Sequence, residues 1–299
     1  MLWRLLPTST LLPPLPAQPT PSIASVAAFL PSPASAVAAF RPPGTANSPQ
    51  IRRAHAPEAA PGMSSSASNA EGYDSVAGGD FTEVVIVRHG ETSWNAARII
   101  QGHLDAELND IGRQQAVAVA HRLSKEVKPA AIYSSDLKRA AETAQTIARI
   151  CNLPNVVFDP ALRERHIGDM QGMKFHDAAT ERPEAYKAFM SHKRNQQIPG
   201  GGESLDQLSE RCVSCLINIV EKHKGERVIV VSHGGTIREL YRHASPMRPI
   251  QGKIHNTSVS VILVSSITGR CIVKTVGDIS HLQATGVLEN AFGGDKNSA

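Results

Sequence analysis

Two short runs of β-branched residues constrain this chain more than any other feature: Val84-Val85-Ile86-Val87 and Val228-Ile229-Val230-Val231. Each is continuously apolar rather than alternating, so a strand made from it must be buried on both faces. That is the situation of a central strand in a parallel sheet covered by helices. Ala130–Tyr133 is a shorter run of the same kind, and Val259–Val264 and Cys271–Val276 read as further strands. Helical periodicity occupies Ile111–Ser124, Leu137–Ile150 and Leu205–His223 between them. Strands alternating with helices of this length predict an α/β fold of three layers, a mostly parallel sheet with helices on both faces.

The alternation begins near residue 79 and ends near 289, with no repeat at solenoid period, so 79–289 reads as one domain. Before it the composition changes. Thirteen of the 20 prolines lie between Pro7 and Pro61, a density no helix or strand tolerates. The first acid is Glu58, while Arg4, Arg41, Arg52 and Arg53 are scattered among Ala, Ser and Pro. This is the composition of an organellar transit peptide, so residues 1–78 are expected to be a disordered extension that directs the chain to the chloroplast. The alternatives are the mitochondrion, or the cytosol if translation starts at Met63. Residues 290–299 are polar and are expected to fray.

Charge and cysteine content exclude several classes. The net charge of +4 comes from 31 Lys and Arg against 27 Asp and Glu, and most of the excess lies in residues 1–70, where Arg4, Arg41, Arg52 and Arg53 face only Glu58. A nearly neutral folded part argues against nucleic acid as the partner. The apolar stretch 23–40 is broken by Pro31 and Pro33, so no membrane span is expected. With only 4 cysteines there is no disulfide framework. Cys212-Val-Ser-Cys215 falls inside a helical pattern, and reads as two half-buried helix cysteines rather than a redox pair or a zinc site.

Ligands of an open α/β sheet bind beyond the carboxyl ends of its strands, so the strand-to-helix junctions carry the functional reading. The first is Arg88-His89-Gly90-Glu91-Thr92, the second Ser134-Ser135-Asp136-Leu137-Lys138-Arg139, and the third Ser232-His233-Gly234-Gly235-Thr236. If the sheet brings these ends together, two histidines and two arginines converge with the N–H groups that open the following helices, including that of Gly234. Such a set suits a phosphate. No His-x-x-x-His pair or acid-rich set accompanies it, so no metal and no other cofactor is expected. Gly200-Gly201-Gly202 follows no strand and reads as a flexible turn before a helix capped by Ser204. Phosphate chemistry without a metal needs a nucleophile, neutralising charge and a proton donor. Glu164, in Arg163-Glu164-Arg165-His166, is the candidate donor, although an exposed salt-bridge partner would look the same.

The run Val85-Ile86-Val87-Arg88-His89-Gly90-Glu91-Thr92-Ser93-Trp94-Asn95 resembles the signature of the histidine phosphatase superfamily, which includes cofactor-dependent phosphoglycerate mutase and its phosphatase relatives. The likeness continues in order through Gln101-Gly102, Leu108–Gly112, Ser134–Ala144, Leu162–Arg165 and Ser232–Gly235, and covers about 83–276. It implies a phosphoglycerate mutase-like fold and a phosphomonoester hydrolase acting on a small phosphorylated metabolite, with room for a homodimer. By the same likeness His89 becomes phosphorylated, Arg88, Arg139 and His233 hold the phosphoryl group, and Glu164 serves as acid and then as base. Asn95, Gln101 and Gly102 would line the pocket. Thr92 matches the motif but also suits the start of the next helix. The Gly172–Ser204 connection is short, ends in the Pro-Gly-Glu-Ser form of the phosphatase branch, and has no adjacent arginine pair, which favours hydrolysis over the mutase alternative. A non-catalytic phosphate-binding module is a further alternative, which loss of a catalytic position would signal. Arg163, Arg165, His176, Lys193 and Arg194 read either as contacts to a second anionic group or as solvated charges.

Overall fold

The computed structural model describes residues 81–283; the expected extension 1–78 and the expected frayed tail 290–299 lie outside the described residues. In chain order the elements are β1 (Phe81–Arg88), α1 (Ser93–Ala96), α2 (Asp110–Leu123), β2 (Ala131–Ser134), α3 (Lys138–Ile150) and β3 (Val157–Phe158). There follow α4 (Phe175–Glu181), α5 (Pro183–Phe189), α6 (Leu205–Lys222), β4 (Arg227–Ser232), α7 (Gly234–Ala244), β5 (Val259–Ser265), β6 (Cys271–Asp278) and α8 (Ser280–Gln283). One six-stranded sheet has the order β3-β2-β4-β1-β5-β6. Its β3, β2, β4 and β1 are mutually parallel, while β5 runs antiparallel to β1 and β6 to β5.

The unbroken apolar runs have their reason in this order, because β1 and β4 are interior strands with a layer on each face. Val84 and Ile86 pack with Cys212, Leu216, Ile237 and Leu240 from α6 and α7. Their neighbours Val85 and Val87 meet Val119, Leu123, Ala144 and Ile147 from α2 and α3. These strand residues are 0–1% exposed. At roughly 1.5–3 kcal/mol for each fully buried aliphatic side chain, a polar residue anywhere in either run would be costly.

Two local expectations are corrected. Cys212 and Cys215 are buried rather than half-buried, because α6 turns that face onto the sheet together with Leu208 and Leu216. Burial pushes both thiols up to about 12, which makes them unreactive. The turn before α6 is also less free than its glycines suggest. Gly202 is buried, donates to the Ile198 carbonyl at 2.9 Å, and lies so near Ile198 that a Cβ there would sit 2.6 Å from the Cβ of Ile198. A capping box between Ser204 and Gln207 then starts α6.

Sequence periodicity does not reveal α4 and α5, which have seven residues each. They build a small separate core of Ile167, Met170, Ala178, Ala185, Ala188, Phe189 and Ile198. Among the described residues no helix is long and apolar enough to cross a membrane.

Candidate active site

Strand register assembles the site. Parallel pairing sets Arg88 of β1 opposite Ser232 of β4, so the next residues, His89 and His233, leave adjacent strand ends side by side. Their ring centroids are 5.0 Å apart. From the first turn of α3, Arg139 reaches the same place, donating from Nη1 to the Leu104 carbonyl at 2.9 Å and from Nη2 to the Gly102 carbonyl at 2.8 Å. Arg88 Nη1 donates to the Ile254 carbonyl at 2.5 Å.

The hydrogen bonds of His89 determine its tautomer. Nδ1 lies 2.7 Å from the Gly90 carbonyl oxygen, which can only accept. The proton therefore sits on Nδ1, and Nε2 carries the lone pair. Burial first, and then the charges of Arg139 and Arg88, hold the imidazole well below the usual 6.5, so it is neutral at physiological pH. His233 is lowered in the same sense by burial, Arg139 and His89, and neither of its ring nitrogens has a hydrogen-bond partner. Burial brings Arg139 down to about 10, which still leaves it cationic, with its Nε unpartnered. Buried donors without acceptors are costly in isolation, and an anion placed between them removes that cost.

Glu164 approaches from the loop after β3. Its carboxylate accepts from the Gly235 N–H in the first turn of α7, at 3.1 and 3.2 Å to its two oxygens, and from the Arg165 N–H at 2.9 Å. A helix N-terminus thus holds it at the pocket edge.

Together Arg88, His89, Asn95, Gln101, Gly102, Arg139 and Glu164 form the polar end of a pocket of about 500 Å³, open solvent at its mouth included. The apolar part of its lining is Ile99, Ile100, Ile167, Phe175 and Phe189. Asn95 is oriented by a capping box: its N–H donates to Thr92 Oγ1 at 3.0 Å, and its Oδ1 accepts from the Thr92 N–H at 3.1 Å. Thr92 itself is fully buried and does not line the pocket; its hydroxyl is engaged with Asn95 and Gln101. Gly234 opens α7 and, like His233, is not a lining residue; His233 lies behind the pocket surface with its ring against that of His89.

The five basic residues with two readings are each accounted for by the fold. Arg163 forms a forked pair with Asp136 at 2.6 and 2.5 Å. Arg194 bridges Glu239 at 2.6 Å and Asp206 at 3.0 Å. Arg165 is buried, donates to the Glu203 carbonyl at 3.0 Å, and lies over the Phe189 ring. His176 pairs with Asp177 at the surface, and Lys193 is exposed. None of the five lines the pocket.

Sequence reading misses Asn256 and Thr257, which hold the main chain of the first junction. Asn256 Nδ2 donates to the His89 carbonyl at 3.0 Å, and the Thr257 N–H donates to the Arg88 carbonyl at 3.0 Å. Thr257 does so at φ +53, a conformation that a β-branched residue adopts only under constraint.

Comparison with known proteins bears on this geometry. The family described as the histidine phosphatase superfamily, branch 1, matches residues 84–278. The chain is 57% identical over 219 residues to phosphoglycerate mutase-like protein 4 of Arabidopsis thaliana, which spans 73% of this chain and 95% of that protein. It is 49% identical over 216 residues to a metal-independent phosphoserine phosphatase of the same plant, spanning 72% and 90%. Among solved structures, a mycobacterial glucosyl-3-phosphoglycerate phosphatase in complex with VO3 superposes with a TM-score of 0.59 at 30% identity, covering 66% of this chain and 99% of that one.

Proposed function

Because the chain belongs to the histidine phosphatase superfamily and is a phosphatase, we propose that it hydrolyses small phosphomonoesters through a phosphohistidine on His89, without a metal ion. The observation that carries this reading is the Nδ1–H bond of His89 to the Gly90 carbonyl, which leaves a neutral ring with its Nε2 lone pair free beside two arginines. Nε2 forms the N–P bond as the P–O bond to the alcohol breaks, and Glu164 gives its proton to the departing oxygen. The Glu164 carboxylate then takes a proton from water, whose oxygen attacks phosphorus. The N–P bond breaks, releasing phosphate and restoring His89.

Arg88, Arg139 and His233 stabilise the oxygens of the transferring group, and Asn95, Gln101 and Gly102 complete the enclosure. The substrate is proposed to be a small phosphorylated metabolite of the phosphoserine or phosphoglycerate kind, by similarity to the phosphoserine phosphatase relative. The name of the 57% identical relative favours phosphoryl retransfer as a second reading. Retransfer requires the sugar acid to be gripped while the phosphohistidine waits. The arginines lining this pocket are Arg88 and Arg139, both at the phosphate end, whereas Arg194 is bound to Glu239 and Asp206.

A short reaction with labelled phosphoserine or an aryl phosphate, quenched in base, tests the mechanism. An acid-labile label on His89 is the expected result. Label on a serine, or turnover lost in EDTA and restored by magnesium, would overturn it. The acid-poor extension 1–78 is proposed to direct the protein to the chloroplast. A diffuse cytosolic signal from a reporter fused to residues 1–78 would refute that.

A further inference from the structure

The Glu203 of the Pro-Gly-Glu-Ser connection, placed just before α6, has no part in the chemistry described so far. Its carboxylate meets Arg211, two turns into α6, with Nε to Oε1 at 2.6 Å and Nη2 to Oε2 at 2.9 Å. Three further donations from the same guanidinium go to main-chain carbonyls of the loop that carries Glu164. Nη1 donates to Ala161 and to Arg163, both at 2.8 Å, and Nη2 donates to Glu164 at 2.7 Å. A guanidinium has five N–H groups, and these five bonds use them all.

Glu203 also ties into the loop directly. Its N–H donates to the His166 carbonyl at 2.8 Å, its carboxylate accepts from the His166 N–H at 2.8 Å, and its carbonyl accepts from Arg165 Nε at 3.0 Å. On the far side, His103 Nε2 donates to the Glu164 carbonyl at 2.6 Å.

The carboxylate of Glu164 itself is held by two N–H groups, those of Gly235 and of its own neighbour Arg165. The direction it points therefore follows from the main chain of residues 163–165, and that main chain is what Arg211 grips. We propose that Arg211, oriented by Glu203, is a positioning residue that aims Glu164 at the leaving oxygen; this rests on the acid role given to Glu164 above. The side chains of Arg211 and Glu203 are only 21% and 19% exposed, so losing either partner leaves the other poorly solvated, and losing Arg211 also removes its donations to three carbonyls. Lysine does not substitute, because three donors on a point charge cannot span a forked carboxylate and three carbonyls.

The test is the first-turnover rate of phosphohistidine formation, read as alcohol or phenol release on rapid mixing with an alkyl or an aryl phosphate, for the full chain, for Arg211→Lys, Glu203→Gln and Glu164→Gln, and for the double variant Arg211→Lys/Glu164→Gln. Arg211→Lys is expected to lose roughly 10–100-fold in that formation rate on the alkyl ester and about threefold or less on the aryl ester, with little change in the substrate concentration that gives half the maximal rate, because general acid help is worth about 10²–10⁴-fold. Glu203→Gln, which keeps its volume and one acceptor oxygen, should show the same pattern at smaller size and serves if Arg211→Lys does not fold. In the Glu164→Gln background Arg211→Lys should add nothing, since there is no acid left to aim. Equal losses on both esters, or an additive loss in the double variant, would sink this proposal alone. Glu164→Gln with no dependence on the leaving group would sink the acid role as well.

Discussion

The imidazoles of His89 and His233 face each other at 5.0 Å with their planes inclined by 55°, and both are held neutral by burial and by Arg139. Their neutrality couples folding to pH. In the unfolded chain each ring takes up a proton near pH 6.5, and in the folded chain only well below it, so between those values the unfolded state binds more protons. Stability is therefore full above about pH 6.5 and falls as the pH drops beneath it, by up to about 1.4 kcal/mol per pH unit for each histidine. Urea unfolding from pH 7.5 to 5 should show this slope, and His233→Gln should reduce it. The acid limb of kcat/KM should likewise lie below pH 6.5, because the nucleophile stays unprotonated there. A slope unchanged in His233→Gln would contradict the account.

Arg139 is expected to tolerate no replacement by lysine. Its guanidinium spends Nη1 and Nη2 on the carbonyls of Leu104 and Gly102 and still presents Nε, whereas an ammonium in the same place supplies a charge without that geometry. Arg139→Lys should lower kcat/KM by about 10²–10³-fold, the range for losing a preorganised donor to developing charge. Inorganic phosphate should also inhibit more weakly. A variant with wild-type phosphate inhibition would show that Arg139 does not touch the phosphoryl group.

Two glycines with positive φ make a matched pair. At Gly102, φ is +51 and a Cβ would lie 2.1 Å from Oε1 of Gln171, the atom that accepts from the His103 N–H. Gly201 has φ +76, and a Cβ there would meet nothing within 4 Å. Alanine at either costs about 1–2 kcal/mol for the left-handed conformation. Only Gly102→Ala should also disturb activity, because its carbonyl anchors Arg139 Nη2. Urea midpoints and kcat/KM measured side by side separate the two effects; comparable activity losses at both positions would refute it.

How much of this fold and site is legible in the sequence depends on whether the signal is local. The runs Val84–Val87 and Val228–Val231 announce interior strands because burial on both faces leaves no polar position. Arg88, His89, Arg139 and His233 stand at strand-to-helix junctions, and parallel pairing brings such junctions together. Phe175 and Phe189 give no such signal, since helices of seven residues are too short for a period to show. Asn256 lies 167 residues from His89 and acts on its main-chain carbonyl, so no pattern around either residue reports the other. Thr92 shows the limit of a matched motif: its side chain caps α1 and orients Asn95, and does not reach the pocket.

In the second half of the reaction Glu164 should reveal itself as a base. With an aryl phosphate the phenoxide departs without a proton, so Glu164→Gln should form the phosphohistidine at close to the normal rate. Breakdown of that intermediate needs a base for water, and the amide cannot serve as one, so hydrolysis should slow by about 10²–10⁴-fold. Rapid mixing should then show a burst approaching one phenol per active site, followed by a slow steady state, with phosphate release lagging throughout. Were Glu164 instead a structural partner of the Gly235 and Arg165 N–H groups, the amide oxygen would still accept from both, and neither burst nor leaving-group dependence would appear. The amplitude of the burst therefore separates a carboxylate that moves protons from one that only braces the loop.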